Sequence, residues 1–307
     1  MRLEPSLSKQ TRVTPNLNKP VKSQSPWAIA RRKFLANKLA LISLLFLLLI
    51  TILSVLAEPL TMSVEENNRI DFSQISKTPS SEHFFGTDKS GRDIFARTLL
   101  GGQTSLLLAF SITASVVIIG TVIGAIAGYF GGWVDNLLMR FTDFVMNFPF
   151  LIFVIVLAAI FPGSSIGTLI FVISILSWTG IARLVRSKIM AEKENEYVLS
   201  SISIGCSPAK VIFNHLLPNV VSTIIVQATL TLATMIVVET SLSFLGFGVP
   251  LTTPTWGNMM QEARSPDVLM NKWWIWIPPA AILTLTILSI NFIGEGLKDA
   301  FNPKSKR

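Results

Sequence analysis

Long uncharged runs alternate along this chain with short charged ones. Nineteen uncharged residues lie between Lys38 and Glu58, 37 between Arg97 and Asp135, 39 between Asp143 and Arg183, and 22 between Lys272 and Glu295. About 20 apolar residues carry a helix across a hydrocarbon core roughly 30 Å thick. The first run predicts one span, 39–57. In the second, Gly101-Gly102 and Gly128-Tyr129-Phe130-Gly131-Gly132 bracket a span near 103–127. The third is interrupted by Pro162-Gly163 and predicts two spans, 143–161 and 166–185. From Lys210 to Glu262 the only charge is Glu239, and a span is predicted over 217–242. The last run opens on Trp273, Trp274 and Trp276, which suit an interfacial belt. The pattern is that of an all-α, polytopic membrane protein with six transmembrane helices.

The polar intervals divide the chain. Residues 1–26 are rich in Ser, Pro, Lys, Gln and Asn, which predicts a disordered cytoplasmic tail. Ser25-Pro26 reads as an N-cap and first helical residue. The helix that follows, Trp27 to Phe34, is basic with aromatic ends, as an interfacial helix is; with the first span it makes a unit over 27–57. Residues 58–97, with seven acidic and five basic residues, form an extracytoplasmic segment. The remainder, 98–303, is the core. Lys and Arg collect on cytoplasmic flanks. Residues 183–210 carry five basic and three acidic residues, and 298–307 four and one, so both termini are expected inside.

Composition agrees. Half of the 307 residues are hydrophobic and 14% are charged, well below the quarter usual in soluble domains. The net charge of +8 does not point to nucleic acid, because nine of the 26 basic residues precede residue 39. Cys206 is the single cysteine, which excludes an intramolecular disulfide. His83 and His215 have no ligand-spaced partners, so no metal site is expected. Gly86-Thr87-Asp88-Lys89-Ser90-Gly91-Arg92-Asp93 falls short of a phosphate-binding loop: Arg92 replaces the lysine, and Asp93 the hydroxyl residue. No catalytic triad or carboxylate pair is visible, so the chain itself is not expected to be an enzyme or to hold a cofactor.

One polar stretch, 191–219, AEKENEYVLSSISIGCSPAKVIFNHLLPN, has specific punctuation. Tyr197 to Ile204 reads as a helix, closed by Gly205 in a left-handed conformation. Ser207 reads as the N-cap of a second helix with Pro208 at its first position, and Pro218 is expected to end it. Two short helices meeting at a glycine make a rigid knob that another protein can grip. The stretch resembles the integral-membrane subunits of bacterial ABC importers, whose motif is Glu-Ala-Ala, three residues, Gly, nine residues and Ile-x-Leu-Pro. Here the same register gives Leu199-Ser200-Ser201, Gly205, nine residues and His215-Leu216-Leu217-Pro218. Leu199 replaces the glutamate, and serines replace both alanines; Glu196 or Glu194 is left to supply a charge. The resemblance implies that this segment docks on an ATPase subunit, through Glu196, Tyr197, Leu199, Ser200, Ser201, Gly205, Cys206, Pro208, His215 and Pro218.

Other stretches resemble the peptide/nickel branch of that family, and its second membrane subunit. They are Phe85-Gly86-Thr87-Asp88 with Gly91-Arg92-Asp93, Tyr129-Phe130-Gly131-Gly132, the run from Glu239 to Gly246, Thr255-Trp256-Gly257-Asn258-Met259, and Gly296-Leu297-Lys298-Asp299-Ala300. The resemblance implies a type I importer transmembrane fold in a bacterial inner or plasma membrane, surrounded by membrane lipid. It implies a second homologous permease subunit, two ATPase subunits holding ATP and magnesium, and an extracytoplasmic substrate-binding protein. The implied cargo is an oligopeptide or dipeptide, with nickel or a metallophore as the alternative. Glu239 is the one acid deep in a span, where a lipid-facing carboxylate costs about 2.5–3.5 kcal/mol. It reads either as a pathway or gate residue, with Ser241 and Ser243, or as a buried hydrogen-bonded support for one of these serines. A stand-alone channel or carrier, the reading from another class, would carry several intramembrane charges.

Overall fold

The computed structural model describes residues 25–160 and 165–302. The tail before Ser25 and the turn expected at Pro162-Gly163 lie outside them. Among the described residues there are helices and no strand, apart from one isolated bridge between Thr87 and Asp93. An interfacial helix, α1 (Pro26–Ala36), leads into α2 (Lys38–Val55) and then, after a largely irregular segment, into α3 (Ile94–Phe130). Two bent pairs follow: α4 (Gly132–Met146) with α5 (Phe150–Ile160), and α6 (Ile166–Ser177) with α7 (Thr179–Lys193). Short α8 (Glu196–Ser203) precedes the long α9 (Pro208–Leu245). A small α10 (Trp256–Met260) and α11 (Trp273–Phe301) complete the order.

Four helices, α2, α3, α9 and α11, are long and apolar enough to cross a membrane, and the bent pairs raise the count to six if each is one crossing. The bends are where the sequence reading needs correction. The third span was expected straight over 143–161; instead α4 starts at Gly132, and the chain turns by 83° between Met146 and Phe150. Pro149 is the cause, because it has no N–H for a helical bond and pushes Phe148 out of the α region. The fourth span, expected over 166–185, bends by 44° at Trp178 and continues to Lys193. There the indole Nε1 donates to the Ile175 carbonyl at 2.9 Å, satisfying a group beside the break. The second span is also longer than the predicted 103–127, since α3 begins at Ile94.

The bundle is built around α3, which packs against α2, α6, α7 and α9, most extensively against α7. That contact runs over Gly120, Gly124 and Gly128, spaced four apart and therefore on one helix face. A Cβ on Gly124 would stand 2.5 Å from the Ala182 carbonyl and 2.9 Å from the Val185 Cβ. One on Gly120 would stand 2.6 Å from the Ile181 Cβ, and one on Gly128 2.8 Å from the Arg186 carbonyl. Small residues at such spacing let two membrane helices approach backbone to backbone. At the end of the same contact, Arg186 forks onto both carboxylate oxygens of Asp135. Lys193 Nζ donates to the Tyr129 carbonyl at 2.6 Å.

At the opposite end, residues 61–93 and 247–272 form a polar cap. Asp93 caps α3 by accepting from the Ala96 N–H at 2.8 Å and pairs with His83 Nδ1 at 2.7 Å. Arg97 is buried and donates to the Leu251 carbonyl at 2.7 Å and to Asn68 Oδ1 at 3.3 Å. The stretch Gly86–Asp93 is internally committed: Asp88 accepts from the N–H groups of Ser90 and Arg92 and from Arg92 Nε. Gly91 takes φ +78°, and a Cβ there would lie 2.1 Å from the Asp71 carbonyl.

Gly124→Leu is expected to unfold the α3–α7 contact, since overpacking costs roughly 1–3 kcal/mol even where neighbours can relax, and here the neighbours are backbone atoms. The measurement is thermal melting of the detergent-purified protein, with Gly180→Leu, whose Cβ meets nothing within 4 Å on a regular helical backbone, as the comparison for general loss of glycine. Equal melting of wild type and Gly124→Leu would refute the close packing.

Candidate functional site

Two polar groupings stand out from the apolar bundle, one at each end of α9. The first is the 191–219 segment. Helix α8 ends in a Schellman turn: the Cys206 N–H bonds to the Ser201 carbonyl at 3.1 Å and the Gly205 N–H to the Ile202 carbonyl at 3.0 Å. Gly205 closes it at φ +83°, with open space around its Cα. Ser207 then caps the next helix, accepting from the Lys210 N–H at 3.5 Å, with Pro208 at its first position.

Pro218 does not end that helix. The chain passes through a π-turn at Ile212–Leu216, and the Leu217 N–H reaches back to the Ile212 carbonyl before the α-helix resumes. The wider turn suits a proline directly after it, where one helical bond is missing anyway. The second half of the segment is thus the first turns of α9, not a separate short helix. What projects is α8, the Gly205 turn and the tip of α9.

Its buried side is apolar: Val198, Val211 and Leu216 have no exposed surface. Its outer side carries exposed Leu199, Ile204 and Phe213, with Ile204 80% exposed beside the turn. Glu196, Ser200 and Pro208 are exposed too, whereas Ser201 and Cys206 are half-buried. Ser201 Oγ donates to the Tyr197 carbonyl at 2.8 Å. Tyr197 is the fastener. Its hydroxyl donates to Glu192 at the end of α7 and accepts from Asn219 Nδ2 at 2.6 Å. Burial, and then the Glu192 carboxylate, hold its phenol above the usual tyrosine range. Asn219 also donates to the His215 carbonyl at 2.9 Å, and the His215 ring lies 6.3 Å from that of Tyr197. Sequence reasoning missed Asn219 and Glu192. Asn219 had a signal, as the residue directly after Leu-Pro; Glu192 had none.

The second grouping surrounds Glu239, which is 1% exposed. Ser243 Oγ donates to Glu239 Oε1 at 2.8 Å, and Ser105 Oγ of α3 faces Oε2 at 3.4 Å. Ser105 Oγ accepts in turn from the Trp256 N–H at 3.1 Å. Trp256 is fully buried, and its indole donates to the Thr98 carbonyl at 2.9 Å. Ser241 is not part of this group; it bonds to the Val237 carbonyl of its own helix at 2.7 Å. Gly257 and Gly248 let α10 and its approach lie against Ser243, where a Cβ would stand 2.6 and 2.0 Å from side-chain atoms. Glu239 therefore sits at the junction of α3, α9 and α10, supported by hydroxyls. No cluster of three or more metal-ligating side chains occurs among the described residues.

These elements make a bundle of bent and straight apolar helices with a helical knob on one end. Residues 120–307 match the family described as binding-protein-dependent transport system inner membrane component, and residues 25–79 match the N-terminal TM domain of oligopeptide transport permease C. The chain belongs to the binding-protein-dependent transport system inner membrane components, and it is an integral inner-membrane permease. It is 42% identical over 284 residues to a Brucella suis protein named as a peptide permease, covering 92% of this chain and 93% of that one. It is 38% identical over 288 residues to the oligopeptide transport system permease protein OppC of Haemophilus influenzae, covering 93% and 91%. It is 36% identical over 286 residues to the dipeptide transport system permease protein DppC of Alkalihalophilus pseudofirmus, covering 92% and 91%.

Glu239→Gln is expected to preserve assembly, since an amide keeps an acceptor for Ser243. Glu239→Leu is expected to weaken it by about 1–3 kcal/mol, by leaving the Ser243 hydroxyl without a partner and the Ser105 hydroxyl without its acceptor. The yield of purified protein and its melting temperature measure this. If both variants match the wild type, the carboxylate has no supporting role.

Proposed function

We infer that this chain is one permease subunit of an ATP-driven importer for oligopeptides or dipeptides. The peptide cargo rests on relatives named for peptide transport over nearly the whole chain. The coupling role is carried by one observation: a helical knob closed by a glycine turn that leaves its apolar side chains, Ile204 and Phe213, uncovered by the rest of the chain. Such side chains on a polar segment mark a protein contact. In this reading the knob docks on an ATPase subunit, and a second homologous permease completes the pathway. An extracytoplasmic binding protein delivers the peptide. ATP and magnesium reside in the two ATPase subunits, whose closure drives the knob and switches the access of the pathway. Leu199, 49% exposed, then makes an apolar contact where the family motif has a charge. Glu196, exposed on the preceding turn, is left for any ionic one.

The orientation follows, with both termini and the knob cytoplasmic. A membrane-impermeant thiol reagent is expected to label Cys206 in inside-out vesicles lacking the ATPase, and not in intact cells. Labelling from outside would reverse the topology.

Gly205 is a test of the coupling itself. Asn accepts a left-handed backbone, whereas a β-branched residue is strained there by roughly 1–2 kcal/mol or more. Gly205→Asn is expected to transport normally, and Gly205→Val to lose labelled-peptide uptake while the protein stays in the membrane. ATPase recovery and ATP hydrolysis in the purified complex separate failed docking from idle hydrolysis. Full uptake by the Val variant would sink the claim that this turn transmits the stroke.

A further inference from the structure

The two sharp helix breaks meet at one cavity. Phe148 and Phe150, on either side of Pro149, and Ser177 and Thr179, on either side of Trp178, line a hollow of about 320 Å³ against Met235 and Val238 of α9. Thr179 and Met235 are buried, so the floor of the hollow lies inside the bundle, and Met235 precedes Glu239 by one helical turn. Phe148 stacks on Phe153 at 4.7 Å to form an aromatic wall. The Ser177 hydroxyl is buried here with no hydrogen-bond partner among the described residues.

The surroundings of the hollow are not those of a lipid-facing surface. Asn147, Phe148 and Pro149 are exposed, about 22 Å along the helix axis from the Gly132 end of α4. Irregular backbone at hydrocarbon depth is tolerated where it lines a wet cavity or is buried in protein, not against lipid. One turn nearer the knob, Asp143 and Arg183 pair at 2.5 Å with roughly half of each side chain exposed. They share helix faces with Asn147 and Thr179, four residues away in each case. Charged pairs within a span face the bundle interior or a water-filled path. The breaks, the ion pair and the hollow therefore lie on one wet face of the bundle.

Chemistry selects the occupant. None of the described residues lining the hollow is ionisable, so it suits neither a charged peptide terminus nor a hydrated metal ion. An apolar cavity of about 150 Å³ holds a benzene ring, and this one has room for a larger side chain. Met146 and Met235, at its edges, are unbranched and adapt to groups of different shape. We propose that the hollow is a subsite on the translocation path that takes one apolar side chain of the transported peptide, with the Ser177 hydroxyl bonding to the peptide backbone beside it. The subsite deepens the peptide-import reading and rests on it. It gives the permease a preference of its own, in addition to that of the binding protein.

The test uses the complete transporter with its binding protein, reconstituted in liposomes, and compares ATP-driven uptake of Ala-Phe-Ala with that of Ala-Ala-Ala. The binding protein is the same throughout, so its selectivity cancels between variants. Val238→Trp, which fills the hollow from α9, is expected to lower the uptake ratio about tenfold, the scale on which apolar pockets discriminate. Val145→Phe fills it from α4 and is expected to act in the same direction. Val238→Ala enlarges it and is expected to raise uptake of Ala-Trp-Ala relative to Ala-Phe-Ala, a gain that misfolding does not produce. An unchanged ratio in both filling variants overturns the subsite. A photoreactive side chain at Thr234, which also lines the hollow, is expected to capture peptide during turnover. Capture of lipid or of the second permease subunit in its place overturns the proposal. Absence of all peptide uptake by the wild type overturns the import reading and the subsite together, whereas uptake with unchanged ratios overturns the subsite alone.

Discussion

Lipid offers no hydrogen bonds, so every backbone group of this chain that enters the hydrocarbon must be satisfied by the protein itself. Helices meet that demand within each segment, but they gain little hydrophobic force for packing on one another, because lipid tails are as apolar as leucine. Close van der Waals contact must substitute. In this bundle it does so along α3, where Gly120, Gly124 and Gly128 bring the backbone of α7 to within a distance that no side chain would permit. The Arg186–Asp135 fork closes the same contact where α4 departs from α3. The positions of α4, α9 and α10 all refer back to α3, and hence to that contact.

The same demand explains how the bundle tolerates its irregularities. At Trp178 the indole takes up a carbonyl beside the break, and at Pro218 a π-turn supplies a wider register just before the missing donor. At Glu239 two serine hydroxyls surround a carboxylate that would be costly in lipid. Each of these three departures from a regular apolar helix is accompanied by a nearby side chain or turn that accommodates it.

Much of this was legible in the residues. The uncharged runs give the four long apolar helices and mark the two bent pairs, and Gly205, Ser207 and Pro208 occupy the turn and cap positions that their conformational preferences assign. Pro218 misled, because a proline that follows a π-turn inside a helix and a proline that ends one look alike in the residues alone. Pro149 was legible but passed over, since its neighbours are apolar enough to hide a break inside a span. The partners of Glu239 could be half read: Ser243 is one helical turn away, whereas Ser105 is 134 residues distant and announced by nothing local. Pairings of that range are decided by how helices stack, which no local pattern encodes.

The continuity of α9 has a mechanical consequence. At about 1.5 Å per residue, its 38 residues make a rod near 57 Å long, almost twice the thickness of the hydrocarbon core. One end lies in the exposed knob and the other carries Glu239 beneath the polar cap. Such a rod behaves as a lever. A small tilt imposed at its tip is delivered at the far end as a displacement of several ångströms, with no intervening loop to absorb it. Under the coupling proposed above, the π-turn at Ile212–Leu216 lies close to the end that an ATPase subunit would drive, and far along the arm from Glu239.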